Sequence, residues 1–456
     1  MDVSPADFAR FRAQLPRGAV EIMRRIREAG GEAYLVGGCL RDLLLGRPVT
    51  DWDIATSLTP DQLHPLFRRV VSVGIRFGTL IIPRRDAAYE VTTFRTEGAY
   101  RDGRHPDEVA YTRDLRKDLE RRDFTINAMA WDVASDTLVD PFEGLADLAA
   151  GRIRAVGDPR ARFREDALRL MRAIRQATQL RFRIAPATFA ALQATADGLA
   201  AISAERIRDE LTGLLLAPEP SRGLRLLEEA DLLRIVLPEL AATRGFAQNR
   251  FHSHDLFDHS LRALDAAPPG DLGLRLAILL HDIGKVETRE ARGDDYTFYA
   301  HQIVGARKAR RILQRLRYPN ELIQRVTHLI RHHMFYYETE WTDSAVRRFV
   351  RTVGSEHIPD LIAVRIADMA GNQRKRGDRT PLDELQQRID EVIAKDTALS
   401  VRDLAIGGHD LMALGVPEGP RIGEILRALL ERVLDDPEMN TREALLAAAR
   451  EMQASG

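Results

Sequence analysis

The spacing of hydrophobic residues changes character after about residue 150. Before that point, short apolar runs of strand length at 33–36, 80–82 and 89–94 alternate with helical periodicity, such as that of residues 6–30. Beyond it the strand signals fade, and apolar positions recur with the period of helices. The pattern predicts an N-terminal part that mixes strands with helices, followed by a long helical part.

The chain is long enough for several domains. Its 456 residues suggest about three domains at roughly 150 residues each. A polar basic stretch at 374–379 is typical of a linker, and residues 400–450 form the last predicted helical unit. Hydrophobic residues make up 45% and charged residues 30% of the chain, which excludes a collagen-like, a disordered and a disulfide-bonded scaffold protein.

Composition also bears on compartment and partners. The lone Cys39 permits neither an intramolecular disulfide nor a cysteine-based zinc site. We expect a cytoplasmic protein with no membrane partner, because we find neither a signal peptide nor an uncharged apolar stretch of about 18 residues. The formal net charge of −1 does not predict nucleic-acid binding. Residues 160–183, however, contain eight arginines and two acidic residues, a local excess that the total hides.

Two neighbouring motifs suit a nucleotide and a metal ion. Gly37-Gly38 lies between a predicted strand and a helix, where the backbone can approach a phosphate that Arg41 also reaches. Asp51 and Asp53, two residues apart on an extended segment, direct carboxylates to one side, and such oxygen ligands suit Mg²⁺, often as two ions in phosphoryl transfer. Taken singly, an ordinary turn and a solvated acidic pair remain open alternatives.

Together these motifs form one continuous signature. The segments 35–38, 41–46 and 51–56 resemble the head domain of the class II tRNA nucleotidyltransferase and poly(A) polymerase family, a branch of the polymerase β-like superfamily. The resemblance implies catalytic Asp51 and Asp53 that hold two Mg²⁺ ions, and a grip on the triphosphate by Gly38 and Arg41. Glu90 is either a third carboxylate that faces the metals or a charge at a strand edge.

The same resemblance implies an α+β fold. We expect a polymerase β-like head with a small mixed sheet and helices, followed by an all-α neck that binds nucleotide and RNA, a helical domain with a cluster of histidines, and a helical tail that binds tRNA. The expected boundaries are 1–150 for the head, 151–245 for the neck, 246–380 for the domain with the histidines and 381–456 for the tail.

Two further segments resemble the nucleotide-reading motifs of that family. The resemblance implies that Asp123 checks the sugar hydroxyl and that Arg122 holds phosphate or ribose, whereas a salt-bridged helix start is the plain alternative. Residues Asp166, Arg169, Arg172 and Arg175 are spaced by three, and on a helix they would form a row about 13 Å long.

Such a row has the reach of a nucleoside triphosphate, since aspartate accepts from a base amino group and arginine donates to ring acceptors or phosphates. The family's pattern implies that Asp166 and Arg169 select C or A, while Arg172 and Arg175 hold phosphates or tRNA. A solvated helix face with ion pairs is the alternative.

Two other segments refine this picture. Residues 205–211 resemble a later helical motif of the family, which we interpret as a brace and not as a ligand. Residues 97–106 resemble the flexible loop of enzymes that add all three nucleotides. Since relatives that add only CC are shortened there and this chain is not, the loop favours complete CCA addition.

Histidine and aspartate residues recur in a fixed order in the helical part. His281-Asp282 ends an apolar run, His259 lies 22 residues upstream, and Asp368 lies far downstream. This order resembles the H…HD…D signature of HD phosphohydrolases, and it implies a divalent metal whose identity the sequence leaves open. His301 and the pair His332-His333 are candidates to extend the set to a second ion.

The resemblance implies template-independent addition of CCA to tRNA 3′ ends from CTP and ATP, with release of pyrophosphate. Its alternatives are a poly(A) polymerase, an enzyme that adds only CC or only A, and an HD phosphohydrolase whose head is retired to RNA binding. The intact Asp51 and Asp53 argue against the last. The expected partners are tRNA, CTP and ATP, and the oligomeric state is not predicted.

Overall fold

The computed structural model describes residues 4–71, 78–97, 109–250, 253–372, 379–395 and 399–454. The chain divides into two compact units, the first formed by Met1–Ala241 with Arg315–Tyr318 and the second by Ala242–Gln314 with Pro319–Gly456. The first unit mixes strands with helices and the second is mainly helical, so the predicted α+β class is confirmed. Among the described residues, no helix is long and apolar enough to cross a membrane.

The strands of the first unit are short. Their bounds are β1 Ala33–Val36, β2 Asp53–Thr56, β3 Thr79–Pro83, β4 Ala88–Thr93, β5 Arg95–Glu97, β6 Val109–Tyr111, β7 Ala130–Asp132, β8 Thr137–Val139, β9 Arg152–Ile153 and β10 Arg183–Ile184.

Helices flank these strands and continue beyond them. Their bounds are α1 Pro5–Gln14, α2 Arg17–Glu28, α3 Gly37–Leu44, α4 Pro60–Leu63, α5 Leu115–Glu120, α6 Gly144–Ala149, α7 Pro159–Glu165, α8 Leu168–Leu180, α9 Pro186–Ala194, α10 Ala204–Leu215, α11 Pro220–Glu229, α12 Leu233–Val236 and α13 Pro238–Ala241.

The second part of the chain adds one hairpin, β11 Glu290–Arg292 with β12 Asp295–Thr297, within the described residues. Its helices are α14 Leu256–Asp265, α15 Leu272–Leu280, α16 Lys285–Thr288, α17 His301–Arg315, α18 Asn320–His332, α19 Asp343–Val353, α20 Ile358–Gly371, α21 Thr380–Ala394, α22 Gly408–Ala413, α23 Pro420–Asp435 and α24 Arg442–Ala454.

The sheet of the first unit is mixed, as predicted. Over the described ranges the strand order is β3-β4-β2-β1-β7-β8, with β2 and β4 parallel and the other neighbours antiparallel. In the parallel pair, Asp53 at the start of β2 lies opposite Glu90 of β4. The register therefore places two acidic residues side by side on neighbouring strands.

The predicted helix over residues 6–30 is divided in two. Leu15 adopts an extended conformation, and Pro16 precedes the first residue of α2. Proline has no backbone N–H and disfavours helical conformation in the residue before it, so the hydrophobic period continues across a break that the proline imposes. The first of the two helices packs on the sheet, where Phe8 stacks on the fully buried Trp131 with ring centroids 5.6 Å apart.

In the second unit, α15 is a central helix. Its residues from Gly273 to Leu280 are all buried, and α14, α18 and α20 pack against it. Because a helix that is apolar all round must be enclosed by neighbours, its C-terminal end meets side chains from several helices at once. His281 and Asp282 follow directly at that end.

Candidate functional site

A cavity of about 1000 Å³ lies in the first unit. Its lining combines helix α3, the start of β2, strand β4, the segment after α5, and helices α8 and α10. It brings together ten side chains or backbone positions that the sequence singled out: Gly38, Arg41, Asp51, Asp53, Arg122, Asp123, Asp166, Arg169, Arg172 and Arg175.

The first residue of helix α3 has a conformation that favours glycine. Gly37 has φ +75°, in the left-handed region that glycine adopts without steric cost. A Cβ atom at this position would lie 3.1 Å from Arg122 Nη1 and 3.2 Å from Asp53 Oδ2. Helix α3 begins at this residue, so its N-terminal N–H groups and an arginine meet near the same carboxylate.

Acidic side chains are crowded at one side of the cavity. Burial raises the pKa of Asp53, the neighbouring carboxylate of Asp51 raises it further, and Arg122 opposes the shift. Burial and the charge of Asp53 likewise raise the pKa of Glu90. Glu90 is exposed, but it lies on an inner strand opposite Asp53 and lines the cavity with both aspartates. The three carboxylates together favour a bound cation.

Arg41 is held from several directions. Its Nε and Nη2 donate to the two carboxylate oxygens of Asp42 at 3.0 and 2.8 Å, and its Nη1 donates to Asn127 Oδ1 at 3.0 Å. Both partners also line the cavity. Asp42 lies within the motif at 41–46, but residue spacing predicts no role for Asp42 or Asn127, because their link to Arg41 depends on the tertiary fold.

Arg122 lies against the glycine turn and its guanidinium is only partly satisfied. Its Nη2 donates to Asp118 Oδ2 at 3.3 Å, and Asp118 is 1% exposed. Its Nε is buried and has no hydrogen-bond partner among the described residues. A buried N–H group that borders a cavity in this way is suited to an anionic ligand, because an unmade hydrogen bond at such a place is costly.

Asp123 is a buried carboxylate in an ion pair. It is 7% exposed, and Arg172 donates to its Oδ2 from Nε at 2.8 Å and from Nη2 at 2.7 Å. Burial alone would raise the pKa of Asp123, but the charge of Arg172 and a hydrogen bond from Asn127 hold that pKa well below its ordinary value. The alternative of a salt-bridged helix start is met in part, because Asp123 pairs with Arg172 and a short 3-10 helix, Thr125–Asn127, begins two residues after it.

The four residues spaced by three do not all lie on one helix. Helix α8 begins at Leu168, and Asp166 precedes it, where its Oδ1 accepts from the backbone N–H of Leu168 at 3.0 Å. Aspartate competes for backbone N–H groups at helix starts, which explains why the helix is interrupted there. Arg169, Arg172 and Arg175 follow on α8 as predicted.

Helix α10 braces this region. Arg206 Nη2 donates to Asp166 Oδ2 at 2.8 Å, and Glu210 Oε2 accepts from Arg175 Nε at 2.6 Å. Both pairs join the motif at 205–211 to predicted site residues, in agreement with a supporting role. Arg206 also lines the cavity, and its Nη1 is buried without a hydrogen-bond partner in the described part of the chain.

Arg169 is buried and links three segments. It is 8% exposed, and it donates to the carboxylate of Glu165 at 2.6 Å and to the backbone oxygens of Arg162 and Arg121 at 3.1 and 3.0 Å. Its position beside Asp166 is therefore fixed by the end of α7 and by the segment after α5.

Two predicted segments cannot be compared with the structure. Of the predicted flexible loop, residues 98–106 lie outside the described residues, as does most of the predicted linker at 374–379.

A second cluster lies in the second unit, at the end of α15. The four residues of the predicted signature, His259, His281, Asp282 and Asp368, have ligand atoms within 4.8 Å of one another. His259 Nε2 is 3.3 Å from His281 Nε2 and 3.2 Å from Asp368 Oδ1. Helices α14 and α20 thus bring distant residues to the histidine–aspartate pair.

A second group shares one of these residues. Asp282, His301 and His333 also have ligand atoms within 4.8 Å of one another, and Asp282 uses Oδ2 toward His281 and Oδ1 toward His301, each at 3.2 Å. His332 does not join them, because its ring packs on His328 with centroids 4.6 Å apart. Successive residues at a helix end point in directions about 100° apart, so only one of the two neighbours faces the cluster.

Backbone carbonyls orient three of these rings. The Nδ1 atoms of His281, His301 and His333 lie 2.7, 2.8 and 2.7 Å from the carbonyl oxygens three residues earlier. An N–H on Nδ1 leaves the lone pair of Nε2 directed into the cluster, which is the arrangement that metal-binding histidines use. Two such lone pairs at 3.3 Å, as in His301 and His333, need a shared cation or an added proton.

The carboxylates of the cluster also call for a cation or an added proton. Burial would lower the pKa of His281, but the carboxylates of Asp282 and Asp368 outweigh burial and raise it to about 10. Lys285 Nζ also lies 2.6 Å from Asp282 Oδ2. The two carboxylates therefore require positive charge, and the imidazole and carboxylate donors fit a divalent transition metal.

Three family models match three separate parts of the chain. Residues 33–154 match the family model of the poly(A) polymerase head domain, residues 181–243 match that of an RNA and SrmB-binding site of polymerase A, and residues 296–449 match a model of tRNA nucleotidyltransferase domain 2. These segments include most of the cavity's lining.

Curated relatives match either nearly the whole chain or about half of it. The CCA-adding enzyme of Levilactobacillus brevis is 36% identical over 434 residues, which cover 94% of this chain and 96% of the relative. That of Leuconostoc citreum is 50% identical over 216 residues, 47% of this chain and 53% of the relative. The crystal structure of the Bacillus stearothermophilus CCA-adding enzyme in complex with CTP is 31% identical, with a TM-score of 0.75 and coverage of 96% and 97% of the two chains. The chain belongs to the CCA-adding enzyme family.

Proposed function

We propose that this chain adds CCA to the 3′ end of tRNA without a nucleic-acid template, using CTP and ATP and releasing pyrophosphate. The observation that carries the proposal is the cavity of the first unit, in which carboxylates suited to a metal lie beside arginines suited to a triphosphate. The full-length similarity to CCA-adding enzymes supports the same reaction.

The nucleotide occupies this cavity along its length. Arg122 and Arg41, beside the N-terminus of α3, hold the triphosphate, and Gly38 allows the backbone to approach it. Asp123 accepts from the sugar hydroxyl, and Arg172 keeps that carboxylate ionised and fixed. Charges on the triphosphate are thereby met by guanidinium groups that other side chains already orient.

The base is selected by protein groups in place of a template. On the Watson–Crick edge, cytosine and adenine both present an exocyclic amino group beside an unprotonated ring nitrogen, whereas the ring nitrogens of guanine and uracil on that edge carry a proton. Asp166 accepts from the amino group while Arg169 donates to the ring nitrogen. The Asp166 oxygens keep lone pairs for this purpose after accepting from Leu168 and Arg206.

Carboxylates of the head fit Mg²⁺. Asp51 and Asp53 would hold it, with Glu90 as a third ligand, because their mutual repulsion is relieved by a cation. When bound, two Mg²⁺ ions would activate the attacking hydroxyl and stabilise the leaving group. The 3′ oxygen of the tRNA forms a bond to the α-phosphorus as the bond to the β-phosphate oxygen breaks, and the arginines neutralise the pyrophosphate that departs.

The domain division is part of the proposal. Residues 1–150 form the head, and residues 151–245 form a neck whose arginines on α7 and α8 bind nucleotide and RNA. Residues 246–380 form an HD-type domain, and residues 381–456 form a tail that binds tRNA. The arginine-rich segment 160–183 supplies the positive charge for the phosphate backbone.

The reaction is tested with tRNA transcripts that end before CCA. The protein is incubated with CTP, ATP or both, and the 3′ ends are sequenced. Growth that stops at CCA supports the proposal. Long A tracts support a poly(A) polymerase, arrest at CC or a requirement for CC-ended tRNA supports a partial activity, and no extension of any tRNA contradicts the proposal.

A second activity is favoured by the histidine–aspartate cluster of the second unit. His259, His281, Asp282 and Asp368 would hold one divalent metal, and Asp282 with His301 and His333 would hold another. When bound, the metals would supply an activated water for hydrolysis of a phosphate ester. The chain's contribution is the orientation of the imidazoles by backbone carbonyls.

This activity has its own test. The protein, purified with and without added Mn²⁺, Ni²⁺ or Mg²⁺, is assayed on phosphate monoesters and cyclic phosphodiesters, and its metal content is measured. Hydrolysis that depends on a bound transition metal supports the second activity. Equal hydrolysis by a His281→Ala variant excludes the cluster as its source.

A further inference from the structure

A glutamine is buried among the charged groups of the nucleotide cavity. Gln176 lies in the middle of α8 and is 3% exposed. A buried amide needs hydrogen-bond partners on both of its ends. Its Oε1 accepts from Asn127 Nδ2 at 3.1 Å and from Arg41 Nη1 at 3.4 Å, and its Nε2 lies 3.5 Å from Asp123 Oδ2.

Asn127 makes the matching set of contacts. Its Oδ1 accepts from Arg41 Nη1 at 3.0 Å, and its Nδ2 donates to Asp123 Oδ1 at 3.0 Å. Two amides, one on the segment after α5 and one on α8, therefore join the same arginine to the same aspartate. The arginine is the one assigned to the triphosphate, and the aspartate is the one assigned to the sugar.

We infer that Gln176 is a positioning residue for the incoming nucleotide. This inference rests on the proposed function. Helix α8 carries Arg169 and Arg172, while Arg41 belongs to α3 of the head. By contacting Arg41 and Asp123 together, Gln176 sets the distance between the phosphate-binding and the sugar-binding groups. Neither contact touches the base, so the effect is the same for CTP and ATP.

The contacts have a positioning role and are not needed to keep the fold. If Gln176 is lost, Arg41 keeps the bidentate pair with Asp42 and its hydrogen bond to Asn127. Asp123 likewise keeps both bonds from Arg172. Since no charge is left without a partner, we expect the protein to remain folded while the guanidinium of Arg41 gains freedom to turn.

The experiment compares Gln176→Met with Thr178→Val. Methionine keeps the length of the side chain without its amide. Thr178 is a buried polar residue on the same helix whose Oγ1 donates to the Ile174 carbonyl oxygen, and it does not line the cavity. For Gln176→Met we expect the KM for CTP and for ATP to rise together about fivefold, the effect of about one hydrogen bond, with kcat within about twofold. Thr178→Val should leave both KM values unchanged.

A double variant tests the route of the effect. If Gln176 acts partly through Arg41, adding Gln176→Met to Arg41→Gln should raise KM by less than it does in the wild type. If Gln176→Met does not fold, Gln176→Leu and its affinity for CTP, measured by titration calorimetry, replace it.

The outcomes separate this inference from the proposed function. An unchanged KM in an active, folded variant overturns the inference, as does a lower melting temperature and lower kcat at constant KM, which is the signature of a structural role. If the wild type adds no CCA, the proposed function fails, and CTP affinity still decides the role of Gln176. A change in the ratio of the KM for CTP to the KM for ATP would also contradict the inference about Gln176.

Discussion

The pairing of Asp123 with Arg172 can be tested by removing the cation. Arg172→Met deletes donors at 2.8 and 2.7 Å from a carboxylate that is 7% exposed. The carboxylate keeps the backbone N–H of Phe124 at 2.8 Å and Asn127 Nδ2 at 3.0 Å. Breaking one partner of a buried ion pair costs about 3–5 kcal/mol. The remaining donors and the 37% exposure of the Arg172 side chain place this case near the lower end, at about 3 kcal/mol.

That free energy is large enough to measure by thermal unfolding. For a domain of roughly 150–250 residues, each kcal/mol corresponds to about 2–4 °C, so the melting temperature should fall by about 6–12 °C at pH 7. Asp123→Asn in the Arg172→Met background removes the unpaired charge and should restore at least half of the loss. A fall in melting temperature of less than about 2 °C, or a double variant no more stable than the single one, would show that Arg172 does not stabilise the charge of Asp123.

The difference in stability between the wild type and Arg172→Met depends on pH, because the pKa of Asp123 is shifted. In the wild type the folded pKa is lowered, so its contribution to stability is fully present above the unfolded pKa of about 3.9 and is lost as the pH falls toward the folded value. In Arg172→Met the pKa of Asp123 rises. The stability gap between the two proteins should therefore narrow as the pH falls through the range where the variant's Asp123 takes up a proton.

Three further predictions concern function. Asp53→Ala should reduce nucleotide transfer to background while tRNA binding, measured by gel shift, persists, because we assign the carboxylate to the metal and not to the RNA. Asp166→Ala should reduce the discrimination of CTP and ATP against UTP and GTP by about tenfold, the worth of one good contact to a base edge, in kinetic assays with each nucleotide. His281→Ala should abolish metal-dependent phosphatase activity and lower the bound metal content, with CCA addition within about twofold of the wild type.

Matched variants serve as controls for these predictions. Asp61→Ala removes an exposed carboxylate on α4 of the same unit and should leave transfer unchanged. His409→Ala removes an exposed histidine that is also followed by an aspartate, and should leave metal content unchanged. Transfer that survives in Asp53→Ala would disprove the metal assignment. Unaltered base discrimination in Asp166→Ala would remove its assigned role.

Local sequence patterns predicted much of the site, because its residues lie in short motifs tied to particular turns. The glycine pair lies at the junction of β1 and α3, and the register of β2 and β4 places Asp53 opposite Glu90. Ten residues chosen from the sequence line one cavity. The four histidine and aspartate residues likewise meet although up to 109 residues separate them in the sequence.

Residue periodicity did not predict contacts between residues that are far apart in the sequence. Arg41 and Gln176 are 135 residues apart, and neither their contact nor the role of Asn127 between them has a signal in residue spacing. The break before α8 was missed because a spacing of three continues through Asp166, whereas that aspartate binds the backbone N–H of Leu168. Which of two adjacent histidines joins Asp282 and His301 depends on where α18 ends.

Addition of CCA is checked most directly by sequencing the 3′ ends that the protein makes. A tRNA transcript lacking CCA is incubated with CTP and ATP together, a transcript ending in CC is incubated with ATP alone, and all products are sequenced beside those of Asp53→Ala. We expect the wild type to end the first transcript at CCA, to add a single A to the second and then to stop, and we expect the variant to extend neither. Runs of A beyond that position, or extension by the variant equal to that of the wild type, would contradict it.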